Sequence, residues 1–198
     1  MNSRLTQLKK ISRDFFKANK DSVIDIVLFG SLARGKENPN DIDVLVLFKD
    51  KVNKDVEYKL RKNLGDDVSI ISKTETGLID VSFDAREGFL FEGYSLVDGK
   101  SVASRYGFSS FGLIIYDTKR MTNTQKTRFY YALNGRGGSS GVVESLSGIK
   151  LSDNILAVPL CKIENAKEFF DFWKLDYKYI PSLIPSTLAK KQIIGKVR

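Results

Sequence analysis

The chain has no histidine and one cysteine among its 198 residues, and these two absences remove whole classes of chemistry. Without imidazole, Ser-His-Asp and Cys-His catalysis are excluded, as are zinc sites built on histidine. A single thiol, Cys161, makes neither an internal disulfide nor a multi-cysteine metal centre. What remains for acid–base and metal chemistry is carboxylate, lysine and tyrosine. No apolar run approaches the length of a membrane span, and the polar N-terminal stretch lacks the pattern of a secretory leader. With the lone cysteine, this leads to the expectation of a cytoplasmic protein without membrane contact. Proline is also scarce, with four in the chain. Two of them, Pro181 and Pro185, mark a late extended segment.

Negative charge is short in only one half of the sequence. Residues 1–100 hold 17 Lys+Arg and 17 Asp+Glu, whereas residues 101–198 hold 15 Lys+Arg and 7 Asp+Glu, so the net charge of +8 sits in the second half. This predicts two modules, 1–100 and 101–198. The second is either directed at a polyanion or kept soluble by its charge.

The densest chemical signal lies between Val27 and Phe48, VLFGSLARGKENPNDIDVLVLF. Val23 to Phe29 is apolar and β-branched, the composition of a buried strand. Gly30 permits a turn and the close approach of a ligand. Ser31 is placed to cap a short helix from Leu32, and helix N-termini bind phosphate. After Pro39-Asn40, the sequence Asp41-Ile42-Asp43-Val44-Leu45-Val46 has a period of two. Both carboxylates then share a strand face with Cα atoms about 7 Å apart. Such an oxygen-rich pair suits Mg²⁺ bridging substrate phosphates. Arg34 and Lys36, between the two motifs, are the cations available to a triphosphate, or else solvated loop charges.

Gly30-Ser31 at a strand end, with Asp41-Ile42-Asp43 about ten residues on, resembles the signature of the DNA polymerase beta-like nucleotidyltransferase superfamily. The segment GSLARGKENPNDIDVLV is most similar to the minimal nucleotidyltransferases and to the catalytic core of archaeal CCA-adding enzymes. The resemblance covers roughly residues 23–98, to the end of a Glu92-Gly93-x-x-Leu96 segment. It implies an α+β fold, a nucleotidyltransferase-type mixed sheet with flanking helices, here followed by a small basic α+β module.

The resemblance also implies a chemistry. Nucleoside monophosphate passes from an NTP, ATP or CTP first among them, to an acceptor hydroxyl, and pyrophosphate leaves. Two Mg²⁺ ions, or Mn²⁺ in their place, are held by Asp41, Asp43 and a third Asp. The segment LIDVSF resembles the strand that carries the third, which points to Asp80, with Asp67 and Asp84 as competitors. Gly30, Ser31, Arg34 and Lys36 are the nucleotide-binding candidates. The basic second half favours an RNA 3′ end, tRNA-like, as acceptor. One alternative is transfer of AMP to a partner protein, as in antitoxin-type minimal nucleotidyltransferases. Another is a non-catalytic nucleic-acid-binding protein with a vestigial site.

Elsewhere, periodicity predicts helices over 3–19 and 53–64, a short helix ending near Gly93, and a helix capped by Thr122 or Asn123 and running to Leu133. Val68–Ser72 and Leu78–Phe83 read as a hairpin, with Phe111–Tyr116 and the run NILAVPLC as further strands. Phe169, Phe170 and Trp173 read as core or partner contact rather than as a base-stacking platform. Arg136-Gly137-Gly138-Ser139-Ser140-Gly141 reads as a flexible loop or as a backbone cradle for phosphate. Arg120, Lys126, Arg128, Arg136, Lys190 and Lys191 are the candidates for nucleic-acid contact.

Overall fold

A computed structural model describes residues 3–79 and 86–189. The chain divides into two compact units, Met1–Tyr106 and Gly107–Arg198. The break falls beyond residue 100 because Val102 packs into the first unit's core and Arg105 pairs there with Asp25.

The first unit begins with α1 (Ser3–Asn19), whose Leu8 and Phe15 are buried. Next come β1 (Val23–Phe29) and β2 (Ile42–Phe48), which pair antiparallel with Val27 opposite Leu45 and Phe29 opposite Asp43. Helix α2 (Lys54–Leu64) starts at Asn53, whose side chain accepts hydrogen bonds from the N–H groups of Asp55 and Val56. It stops at Gly65, where φ of +105° is open to glycine. The helical crossover brings β3 (Val68–Thr74) back parallel to β2. Then follow α3 (Glu75–Ile79), α4 (Arg86–Glu92), β4 (Tyr94–Ser95) and α5 (Val102–Arg105). The strand order is β3-β2-β1-β4, a mixed sheet with flanking helices, as the resemblance implies.

Both faces of β1 and β2 are covered, which explains their nearly unbroken apolar runs. Ile26, Leu28, Val44, Val46 and Phe48 pack under Leu8, Leu60 and Leu64 of the helices. On the other face Val27, Phe29, Leu45 and Leu47 meet Phe89 and Val102. Each of these fully buried side chains contributes about 1.5–3 kcal/mol of transfer free energy. Asp43 stands on this second face, because residues 43, 45 and 47 point the same way.

The expected hairpin is corrected in its second half. Glu75–Ile79 is helical, and its first turn is tied by the Gly77 N–H donating to Thr74 Oγ1 at 3.2 Å. Leu78 packs against the sheet from this helix. A short apolar run satisfies strand and helix patterns alike, so periodicity alone does not separate them here. The remainder of that segment, with Asp80 and Asp84, lies outside the described residues.

The second unit contains β5 (Phe108–Tyr116), α6 (Asn123–Asn134), β6 (Gly135–Arg136), β7 (Ser139–Ser140), α7 (Val142–Ser145), β8 (Ile149–Ser152), β9 (Ile155–Pro159), α8 (Ile163–Phe172), β10 (Tyr177–Pro185) and α9 (Ser186–Leu188). Strands β10-β5-β9-β8 form an antiparallel sheet. Helix α6 opens with a capping box between Thr122 and Gln125. Its buried Phe129 joins Tyr116 and Phe170 in an aromatic core, with Phe169 and Trp173 at the margin. Pro181 and Pro185 belong to β10, at the sheet edge, where a missing N–H is tolerated. The glycine-rich segment is a tight hairpin. Gly137 and Gly138 have φ of +59° and +88°, and β6 pairs with β7 on either side of them.

Candidate active site

Strand β1 ends at Phe29, and Gly30 turns the chain with φ of +76°. The following residues do not form the expected helix. The Arg34 N–H reaches Gly30 O at 3.1 Å, Gly35 N–H reaches Leu32 O at 3.1 Å, and Lys36 N–H reaches Ser31 O at 3.0 Å. Three different spacings in succession make a knot of turns, and Gly35, with φ of +98°, closes it before a helix can propagate. The helix-terminus argument for phosphate binding therefore does not apply. What the loop offers instead is individual donors, among them Arg34 and Lys36.

The β1–β2 register sets Asp43 opposite Phe29, one residue before the turn. A Cβ built on Gly30 would overlap the Asp43 carboxylate, so only glycine leaves that group its place. Asp41 stands just ahead of β2, exposed, while Asp43 is half-buried. Burial pushes the Asp43 carboxyl above its ordinary value, the nearby charges of Asp41 and Glu92 push it further, and Arg34 partly offsets them. Two repelling carboxylates with oxygen donors on one edge are a donor set that fits a hard divalent cation.

Glu92, at the end of α4, is the residue missed in the sequence. Its Oε2 accepts the Gly30 N–H at 3.0 Å, and Arg34 Nη1 donates to both carboxylate oxygens at 2.8 Å. The only signal for it was the Glu92-Gly93 pair, read as a helix end. Four of the expected residues thus gather around one turn: Gly30, Arg34, Asp41 and Asp43. Ser31 is in the turn and half-buried, and Lys36 is exposed beyond it.

Strand β3 places Ser69 opposite Asp43, so it offers a hydroxyl and no carboxylate. Asp67 is occupied elsewhere, with both oxygens bonded to Arg4 of α1. Among the described residues, no three Asp, Glu or Cys side chains come together as a metal-holding group.

Residues 6–87 match the family described as Nucleotidyltransferase domain. The match over this segment supports the DNA polymerase beta-like nucleotidyltransferase superfamily. The match spans α1 to the start of α4 and includes the Gly30 turn and both aspartates. The match supports a transferase, and a domain of this kind implies an NTP substrate in general. Nucleotidyltransferase domains generally use divalent metals, in keeping with the Asp41–Asp43 donor set. The chain matches no curated protein and no solved structure.

The basic candidates of the second unit are dispersed. Arg120 pairs with Asp176 at 2.7 Å, with both side chains exposed. Lys126 and Arg128 are exposed on α6, and the Arg136 guanidinium lies 4.6 Å from the centre of the Tyr131 ring. Lys190 and Lys191 lie outside the described residues.

Proposed function

We infer that the protein transfers a nucleoside monophosphate from an NTP to the 3′ end of an RNA, with release of pyrophosphate. The observation that carries this reading is the antiparallel register that holds Asp43 against the Gly30-Ser31 turn, with Asp41 beside it. Asp41 and Asp43 would hold the divalent cations, Mg²⁺ in the first instance, with Asp80 as the proposed third ligand. When bound, those ions would neutralise phosphate charge and lower the pKa of the acceptor hydroxyl.

The chain's own residues divide the remaining work. Arg34 carries positive charge at the turn, and Glu92 fixes its guanidinium. Ser31 presents a hydroxyl at the same turn, and Lys36 adds an exposed cation from the loop beyond. Gly30, lacking a side chain, lets a triphosphate approach the aspartates. In the reaction the acceptor oxygen bonds to the α-phosphorus, the bond to the β-phosphate oxygen breaks, and the acceptor proton passes to a carboxylate or to water. Histidine is absent, so no imidazole competes for that role. The excess of cations in residues 101–198 supports a polyanionic acceptor.

The test is to incubate the protein with each of the four α-³²P-labelled NTPs, Mg²⁺ or Mn²⁺, and total RNA. Label is expected on RNA. Label confined to a protein would favour AMP transfer to a partner, and unlabelled RNA under every condition would overturn the RNA reading.

A further inference from the structure

Helix α6 turns its apolar residues two ways. Phe129 and Leu133, four apart, are 3% and 1% exposed and fill the core of the second unit. The adjacent Tyr130 and Tyr131 are 54% and 37% exposed and stand outside that buried core. Their rings lie 6.0 Å apart, edge to face. Cations flank both: Arg136, from the hairpin, sits 4.6 Å from the Tyr131 ring centre, and Lys150, from β8, sits 5.5 Å from that of Tyr130. Lys126 is one helical turn before Tyr130. An open cavity of about 430 Å³ runs along this face, lined by Tyr130, Tyr131, Lys126, Lys150, Thr118 and Thr127 among others. The acidic member of its wall is Asp153, paired with Lys150 at 3.1 Å.

Exposed aromatic rings interleaved with cations are the arrangement on which unpaired bases stack while phosphates are neutralised. We propose that Tyr130 and Tyr131, with Lys126, Arg136 and Lys150, form a platform for a single-stranded nucleic acid, on which the acceptor strand is held. This rests on the RNA reading of the acceptor for its purpose, but not for its chemistry. A duplex buries its base faces and gains little from tyrosine rings. An acidic peptide would use the cations and not the rings.

The test is fluorescence anisotropy of a labelled 12-nucleotide RNA with the full chain in EDTA and no NTP, so that binding is read apart from transfer. The strand is expected to bind at least about tenfold more tightly than its own duplex. Tyr130→Ala/Tyr131→Ala should weaken binding roughly tenfold to a hundredfold, with the slope of log affinity against log salt unchanged. Tyr130→Phe/Tyr131→Phe should bind as wild type, and an unchanged thermal melt excludes misfolding as the cause of any loss. Lys126→Ala should lower the salt slope by about 0.7, one phosphate contact. Equal binding by the alanine double variant, a preference for duplex, or displacement of RNA by polyglutamate at equal charge would overturn the platform. Loss of binding in the alanine variant, with no label ever reaching RNA, would leave the platform standing and remove the RNA-transfer reading. Label on RNA with unimpaired binding by that variant would do the reverse.

Discussion

The Asp43 carboxylate occupies the space that a Cβ on Gly30 would need. The glycine at the end of one strand is thus fixed by the acidic residue on the next, and the turn and the aspartate are one structural unit. Gly30→Ala should cost about 1–3 kcal/mol, since φ of +76° is itself unfavourable for alanine. Urea denaturation checks the stability. Nucleotidyl transfer should fall by at least tenfold even where the fold survives, because the carboxylate must move. Unchanged transfer in a folded Gly30→Ala protein would contradict this coupling.

Asp41→Asn and Asp43→Asn should act in opposite senses on stability and activity. Each relieves repulsion between the two carboxylates, so melting temperature in metal-free buffer should hold or rise slightly. Transfer should drop roughly a hundredfold or more, since charge stabilisation at a metal site is worth several kcal/mol and each 1.36 kcal/mol is tenfold in rate. Differential scanning fluorimetry with and without Mg²⁺ reads the first effect and labelled-NTP kinetics the second.

Glu92 joins the backbone of Gly30 to the side chain of Arg34. Glu92→Gln keeps an acceptor for the Gly30 N–H and loses the charge facing Arg34; Glu92→Ala loses both. For this partly buried pair the alanine variant should lose about 1–2 kcal/mol and the glutamine variant less. The Michaelis constant for NTP should rise more than the turnover number falls, because in the proposed role Arg34 would act on the triphosphate in the ground state and transition state alike. A glutamine variant as impaired as the alanine variant would show that charge alone matters.

A separate feature of the first unit gives a pH dependence. Asp25 is 1% exposed; its Oδ1 accepts from Ser95 Oγ at 2.7 Å and from the Ile26 N–H at 2.8 Å, and its Oδ2 lies 2.7 Å from Arg105 Nη2. Burial nonetheless lifts its carboxyl above the ordinary 3.8, with Ser95 and Arg105 only partly offsetting it. The folded state therefore favours the protonated form. That contribution is complete below 3.8 and is lost as pH rises through the raised value. Asp25→Asn cannot titrate, so the melting temperature of wild type minus that of the variant should fall between pH 3 and pH 7. A difference that grows with pH would show that the Arg105 pair outweighs burial.

What was legible in the sequence was local. The runs of β1 and β2, the Gly30 turn, the extent of α2 and the start of α6 at Thr122 or Asn123 all depend on residues within a few positions of one another. The mixed sheet was expected from the family resemblance, and the helix between β2 and β3 is what allows their parallel pairing. Glu92 was not legible in its role: it meets Gly30 across 62 residues, and nothing near it in sequence marks a carboxylate aimed at a turn. The stretch after Thr74 misled because Leu78-Ile79 fits either period, and hydrogen bonding by Thr74 decided for helix. The loop after Ser31 misled because a capping serine was present but Gly35 follows too soon. The order β10-β5-β9-β8 rests on long-range pairing that no short pattern encodes.

In the proposed reaction the site around Asp43 moves the α-phosphate of an NTP with its nucleoside. The measurement that tests it most directly compares α-³²P- and γ-³²P-labelled NTP in parallel reactions with RNA and Mg²⁺, using wild type and Asp43→Asn. Wild type should place α-label on the acceptor and γ-label in free pyrophosphate, and the variant should give neither product. Transfer of γ-label to the acceptor, or equal α-labelling by Asp43→Asn, would contradict it.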